Sequence, residues 1–196
     1  MRKRKDRPNF MYRKTLVQGP MGYVRPIEDV RPGECVVAIV GGDIFNPKPM
    51  CVRAVHDAGM KKCFRTCFSG QRVFKPGALG NAPGLGYKPD KDVDVLDGDG
   101  KWCRVMYWNV VLDHSPDLQI LCHPDWRGKA AFQVRRMQDY FNAAWAIRNV
   151  YDGQDFLPST GEKMIPLTGL RHLYGLELED RNAFFLLQNG LVVGSV

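Results

Sequence analysis

His172-Leu173-Tyr174-Gly175-Leu176-Glu177-Leu178-Glu179-Asp180-Arg181-Asn182-Ala183-Phe184-Phe185-Leu186-Leu187-Gln188-Asn189-Gly190-Leu191-Val192-Val193 is the stretch whose reading decides the fold. Leu173 to Leu178 alternates, setting Leu176 and Leu178 against Glu177 and Glu179, as a half-buried strand does. Asp180-Arg181-Asn182 is a polar turn and Phe184 to Leu187 a second apolar run. Asn189-Gly190 is a strong hairpin pair, because both residues tolerate positive φ. Leu191-Val192-Val193 is then a last strand, so close to the end of the sequence that this end should be pinned in the sheet.

Upstream, Thr15-Leu16-Val17 and Tyr23 to Ile27 read as short strands around the turn Gly19-Pro20-Met21-Gly22. Glu28 to Glu34 is a tight connection, and Cys35 to Val40 is an apolar strand stopped by Gly41-Gly42. The run Tyr23-Val24-Arg25-Pro26-Ile27-Glu28-Asp29-Val30-Arg31-Pro32-Gly33-Glu34-Cys35-Val36-Val37 places a Pro-Ile pair at a strand end and a glycine followed by an acid at a turn. This run is similar to the opening of the Hint superfamily, the self-splicing and self-cleaving domains of inteins and hedgehog proteins. The closing stretch resembles the end of the same family through Tyr174, Leu176, Leu178, Phe184, Gly190, Leu191, Val192 and Val193. The resemblance covers about residues 12–75 and 165–195. It implies an all-β, Hint-like compact fold, with Cys51 to Thr66 as a hairpin turning at Asp57-Ala58-Gly59-Met60.

The middle of the chain is read from its residues alone. Ser69-Gly70 is a turn, with a strand from Gln71 to Lys75. Pro76 to Pro89 is a glycine- and proline-rich loop that lacks the Gly-Lys-Ser/Thr of a phosphate loop. Asp97-Gly98-Asp99-Gly100 joins two strands as a hairpin and lacks the closing glutamate of a calcium loop. Gly128 to Val150 carries Phe132, Met137, Tyr140, Phe141, Ala144 and Ile147 at helical spacing, which predicts one inserted helix within about 124–152. Asp155 to Gly169, with Pro158, Gly161 and Pro166, reads as a loop.

The chemistry the resemblance calls for is missing at each expected position. A Hint nucleophile is a Cys or Ser at the first residue of the domain, because it attacks the carbonyl that precedes it. That position falls at Phe10 or Met11, and no Cys or Ser occurs before Cys35. The family's Thr-x-x-His belongs near residues 66–80, yet no histidine lies between His56 and His114. Val111-Leu112-Asp113-His114 offers a His without the Thr. The family's Asp maps to Gly175, its next His to Asn182, and its final His-Asn to Gly194-Ser195. The expectation is a domain with no catalytic residue, no cofactor and no metal.

Charge divides the chain into an arm and a body. Residues 1–14 hold Arg2, Lys3, Arg4, Lys5, Arg7, Arg13 and Lys14 against Asp6, a net +6 of the total +7. The remainder, 15–196, holds 21 basic and 20 acidic groups. The arm is expected to be disordered or extended, and such a segment touches phosphates without reading bases. The near-neutral body gives no electrostatic reason to bind nucleic acid. The basic start followed by Pro8 and Asn9 is not expected to be a signal segment, so the six cysteines are expected to be free thiols, and Cys63 and Cys67 with Cys122 and His123 have poor zinc spacing. Histidines 56, 114, 123 and 172 read as surface or internally satisfied side chains, and Asp113-His114-Ser115 is not how a triad is assembled. No apolar run is long enough for a membrane span. These features, with the frequency of intein-like domains in phage genomes, suggest a virion structural protein: a capsid, neck or tail component in an oligomeric assembly, present in host cytoplasm before assembly. The alternatives are an accessory protein that meets nucleic acid through the arm, and a domain with residual self-cleavage.

Overall fold

The closing stretch does form the hairpin that its alternation dictates. In the computed structural model, which describes residues 9–43, 46–74, 91–96, 102–122, 132–142, 147–151 and 156–196, Phe185 pairs with Val193 and Leu186 with Val192 around Gly190 at φ +81°. In chain order the strands are β1 (Met11–Tyr12), β2 (Leu16–Gln18), β3 (Val24–Pro26), β4 (Cys35–Ile39), β5 (Lys48–Phe74), β6 (Lys91–Leu96) and β7 (Trp102–His114). There follow β8 (Gln119–Cys122), β9 (Gln133–Arg136), the helix α1 (Met137–Asn142), β10 (Ile147–Tyr151), β11 (Phe156–Leu178), β12 (Phe184–Leu186) and β13 (Val192–Gly194). The main sheet runs β10-β11-β1-β7-β5-β4-β12-β13-β8-β9, with β6 on β7 and a further β5–β11 ladder; β2 and β3 pair separately. The fold is all-β, and β13 lies inside the sheet, between β12 and β8, as a pinned end requires.

Alternation sorts the apolar residues onto two faces. Phe185, Val193, Ala38 and Ile120 join the main core with Ile27, Val52, Leu112, Leu176 and Leu178. Their neighbours Leu186, Val192, Ile39 and Leu121 point the other way, into a second cluster capped by Phe132. Both faces of the closing hairpin are therefore buried, which is why Phe184 to Leu187 reads as a continuous apolar run.

Several local expectations are corrected. Among the described residues of 124–152 the helix is only Met137–Asn142; Gln133–Arg136 is instead a strand on β8 and Ile147–Tyr151 a strand on β11. Met137 is buried in the main core while the half-buried Phe132 packs on the second cluster, a split that one helix face cannot produce. The glycine at Gly59 does not turn a hairpin. Tyr174 pairs with Asp57 and Leu173 with Gly59, so Ala58 is the extra residue of a β-bulge inside one continuous strand. Gly59 sits at φ +68°, and its N–H donates to the Asp57 carboxylate at 2.7 Å. A bulge and a turn make the same demand for positive φ, and the long partner β11 decides between them. Ser69-Gly70 likewise continues β5, facing Asn109 and Trp108. The segment from Phe156 to Gly169 lies in β11, with Gly161 and Pro166 at its register shifts on β5 and Pro158 beside the shift on β10. The loop at Pro76–Pro89 and the turn at Asp97–Gly100 lie outside the described residues, although Leu96 and Trp102 do face each other.

The arm also ends earlier than its charge suggests. Arg2, Lys3, Arg4, Lys5 and Arg7 lie outside the described residues. From Asn9 onward the chain is part of the body: Asn9 and Met11 are fully buried, and Met11 pairs with Tyr174 and His114. Arg13 and Lys14 occupy a turn closed by Thr15 N–H donating to Tyr12 O at 2.8 Å. Among the described residues no helix is long and apolar enough to cross a membrane.

Candidate functional site

The two ends of the described chain meet at one buried place. The Asn9 side chain joins them: Nδ2 donates to Ser195 O at 2.8 Å, and Oδ1 accepts from Gln119 N–H at 2.8 Å. Val196 N–H donates to Leu176 O at 2.9 Å, and Ser115 N–H donates to Phe10 O at 2.8 Å. Phe10 N–H in turn faces Ser115 Oγ at 3.3 Å. Residue 10, one of the two positions at which the resemblance places the reactive residue, is thus held through both its N–H and its carbonyl by Ser115.

Close packing explains two glycines here. A Cβ on Gly175 would lie 2.9 Å from Asn9 O and 2.3 Å from Val196 Cγ2. A Cβ on Gly194 would lie 2.7 Å from Asn9 Nδ2. The positions that align with the family's Asp and penultimate His are therefore filled by neighbouring chain, with no room for either side chain.

The sequence reading expected no Thr–His pair near this bond, and the structure corrects it. Thr66 on β5 and His114 on β7 stand 48 residues apart and are both fully buried, with Oγ1 and Nε2 2.6 Å apart. His114 Nδ1 lies 2.6 Å from Ser115 O. A carbonyl oxygen only accepts, so Nδ1 carries the proton and Nε2 accepts from the Thr66 hydroxyl. Burial drives the His114 pKa down to about 4, against the weaker opposing pull of the Ser115 carbonyl and the Asp113 charge. The ring is neutral at pH 7, and its one N–H is spent on Ser115 O. No local motif could have revealed this pair, because the β5–β7 ladder assembles it.

The remaining groups have equally fixed partners. Ser195 Oγ accepts from Leu178 N–H at 3.0 Å and donates to Leu176 O at 3.3 Å. Asp113 is gripped by Arg65 through a two-pronged pair, Nε to Oδ1 at 2.7 Å and Nη2 to Oδ2 at 2.8 Å. His114 and Asp113 thus face different partners and form no relay. His56 pairs with Glu177 at 3.0 Å, and His172 with Asp57 at 2.6 Å. Cys35, Cys51, Cys63, Cys67 and Cys122 are free thiols, and no group of three or more ligating side chains converges among the described residues. Arg13, by contrast with the buried cluster, is a surface residue 3.8 Å from Glu28.

This architecture defines the class: the chain has the Hint-type fold of inteins. It is similar over 98% of its length to a variant of the Ssp DnaB mini-intein, covering 93% of that chain with a TM-score of 0.58 at 11% identity. It is also similar to a DnaB intein from Synechocystis sp. PCC 6803, with TM-score 0.55, 10% identity, and 95% and 99% of the two chains covered. A bacterial intein-like domain from Clostridium thermocellum gives TM-score 0.55 at 10% identity, with 96% and 99% covered. No protein-family profile and no curated protein matches the sequence.

Proposed function

We propose that this is a non-splicing intein-type domain that serves as a structural, subunit-contacting module. The observation that carries the reading is the state of the Asn9–Phe10 bond. Its amide nitrogen faces Ser115 Oγ, and the nearest imidazole proton is committed to Ser115 O. An acyl shift needs a nucleophile on residue 10 and a proton for the departing nitrogen. Phe10 supplies no nucleophile, and His114 is neutral with its N–H engaged. The Ser195 hydroxyl is held by two backbone groups, and Ser195 is not an amide side chain able to cyclise.

The virion role belongs to this proposal. It draws support from the exposed apolar side chains Val134 on β9 and Ile165 on β11, the kind of surface that neighbouring subunits cover. Residual self-cleavage is the second reading, favoured by the Thr66–His114 pair beside Phe10.

Intact mass after prolonged incubation with thiol separates the two. The expected result is an unchanged mass for the natural chain; a fragment cut between Asn9 and Phe10 would overturn the non-splicing reading. Light scattering on the full chain and on a chain lacking residues 1–8 tests the structural role. A discrete oligomer is expected, and a monomer in both forms would count against it. The deletion must stop at residue 8, because Asn9 is a buried part of the body.

A further inference from the structure

Near-neutrality of the body hides a local excess of positive charge. Two open hollows adjoin, sharing Tyr12, Arg65 and Asp113. Lys14 lines one and Arg13 and Arg171 line the other, so together they make a groove with cations at both ends. Its one carboxylate, Asp113, has a side chain only 7% exposed and is already matched by the Arg65 fork. Arg171 lies 3.8 Å from that carboxylate with 37% of its side chain exposed. Lys14 has no acid within 4 Å among the described residues. Lys61 and Lys62 stand directly across the ladder from Arg171 and Leu170. Three guanidiniums and an ammonium therefore line the two hollows against one lining carboxylate, with Glu28, 3.8 Å from Arg13, and Asp57, 2.6 Å from His172, as the flanking acids.

We infer that this groove binds the phosphate backbone of a single-stranded nucleic acid, a contact separate from the N-terminal arm. Guanidinium forks match phosphate oxygens, and cations spaced along a groove match the repeating charge of a phosphodiester chain. The apolar walls suit unstacked bases: Met60 and Leu170 are 56% and 48% exposed. His172 lines the same groove and stacks on Tyr174, with ring centroids 4.9 Å apart. An acidic peptide fits less well. β1 is paired on both sides, by β11 and β7, and β5, β7 and β11 are interior strands, so no sheet edge is open for strand addition.

The test uses the full chain with Arg2, Lys3, Arg4, Lys5 and Arg7 all changed to Gln, so that the arm is silent. Binding of a fluorescein-labelled oligothymidine is followed by anisotropy across a salt series. This parent should bind with a clear salt dependence. Lys14→Gln and Arg171→Gln should each weaken binding by about tenfold and lower the salt slope by about one. Thermal melts establish that each variant is folded; if Arg171→Gln is not, Lys14→Gln, at an exposed turn, decides alone. The inference is overturned if the arm-silenced chain fails to bind or if the folded groove variants bind like their parent. Displacement of the oligonucleotide as readily by polyglutamate as by unlabelled oligothymidine also overturns it, in favour of an acidic-peptide site.

Discussion

The closed end of the domain and the middle of the β5–β11 ribbon each set a histidine among polar side chains and use it in opposite ways. At the closed end, His114, Thr66, Asn9 and Ser195 are buried, and each has fixed hydrogen-bond partners. On the ribbon and the turn beside it, His172, Arg171 and Arg13 are part-exposed and held by single or distant partners. Buried polar groups must be satisfied or the fold fails, whereas exposed ones keep donors that a ligand can take. The contrast teaches that the polar groups of the closed end are spent on holding the fold, as the proposed non-splicing reading requires, while part-exposed charge has gathered elsewhere.

The two histidines offer the sharpest way to break this comparison. His114→Ala strands the Thr66 hydroxyl and the Ser115 carbonyl in the core, and should cost on the order of 3 kcal/mol in chemical denaturation. His172→Ala should change the melting temperature several-fold less, because its partner Asp57 is half exposed. Equal losses at the two sites would end the distinction.

Acid provides the next largest effect. The folded pKa of His114 is about 4, below the ordinary value of 6.5. Its contribution is complete above pH 6.5 and is lost as the pH falls towards 4, since the unfolded chain takes up the proton first. The loss should approach about 3 kcal/mol at the bottom of that window. Denaturation midpoints across pH 4–7 measure it, and a His114→Gln chain that still folds should lose this part of the slope. An unchanged slope would show that the ring is not held neutral.

A smaller effect sharpens a third region, between these two. Cys35 and Cys51 face each other across β4 and β5 with sulfurs 3.3 Å apart. The flanking Val52 N–H donates to Glu34 O, which leaves the cysteines at a position without mutual backbone bonds, where strands run closest. Added oxidised glutathione should join them and raise the melting temperature by roughly 5 °C. Reductant should reverse the gain, and Cys51→Ser should abolish it. Loss of both thiols to mixed disulfides in the mass spectrum would contradict the pairing.

Much of the fold was legible because its signals are local. Asn189-Gly190, the two-faced apolar run Phe184 to Leu187, and the Pro26-Ile27 to Gly33-Glu34 connection each name their own conformation. The errors came where one signal serves two structures. Asp57-Ala58-Gly59 fits a turn or a bulge, and the spacing of Phe132 and Met137 fits a helix or a strand whose ends enter different cores. The site was less legible: Phe10, Gly175, Gly194 and Ser195 were located by their places in the pattern, but the Thr66–His114 pair was not.

By itself, the sequence determined the all-β pattern, the pinned last strand and the absence of a nucleophile at residue 10, since each follows from residue identity and near neighbours. Only the tertiary structure decided that Thr66 meets His114, that Asn9 ties the two ends together, and that cations from two strands and a turn line one groove. Those facts depend on strand register between residues far apart in the chain, which no local preference specifies.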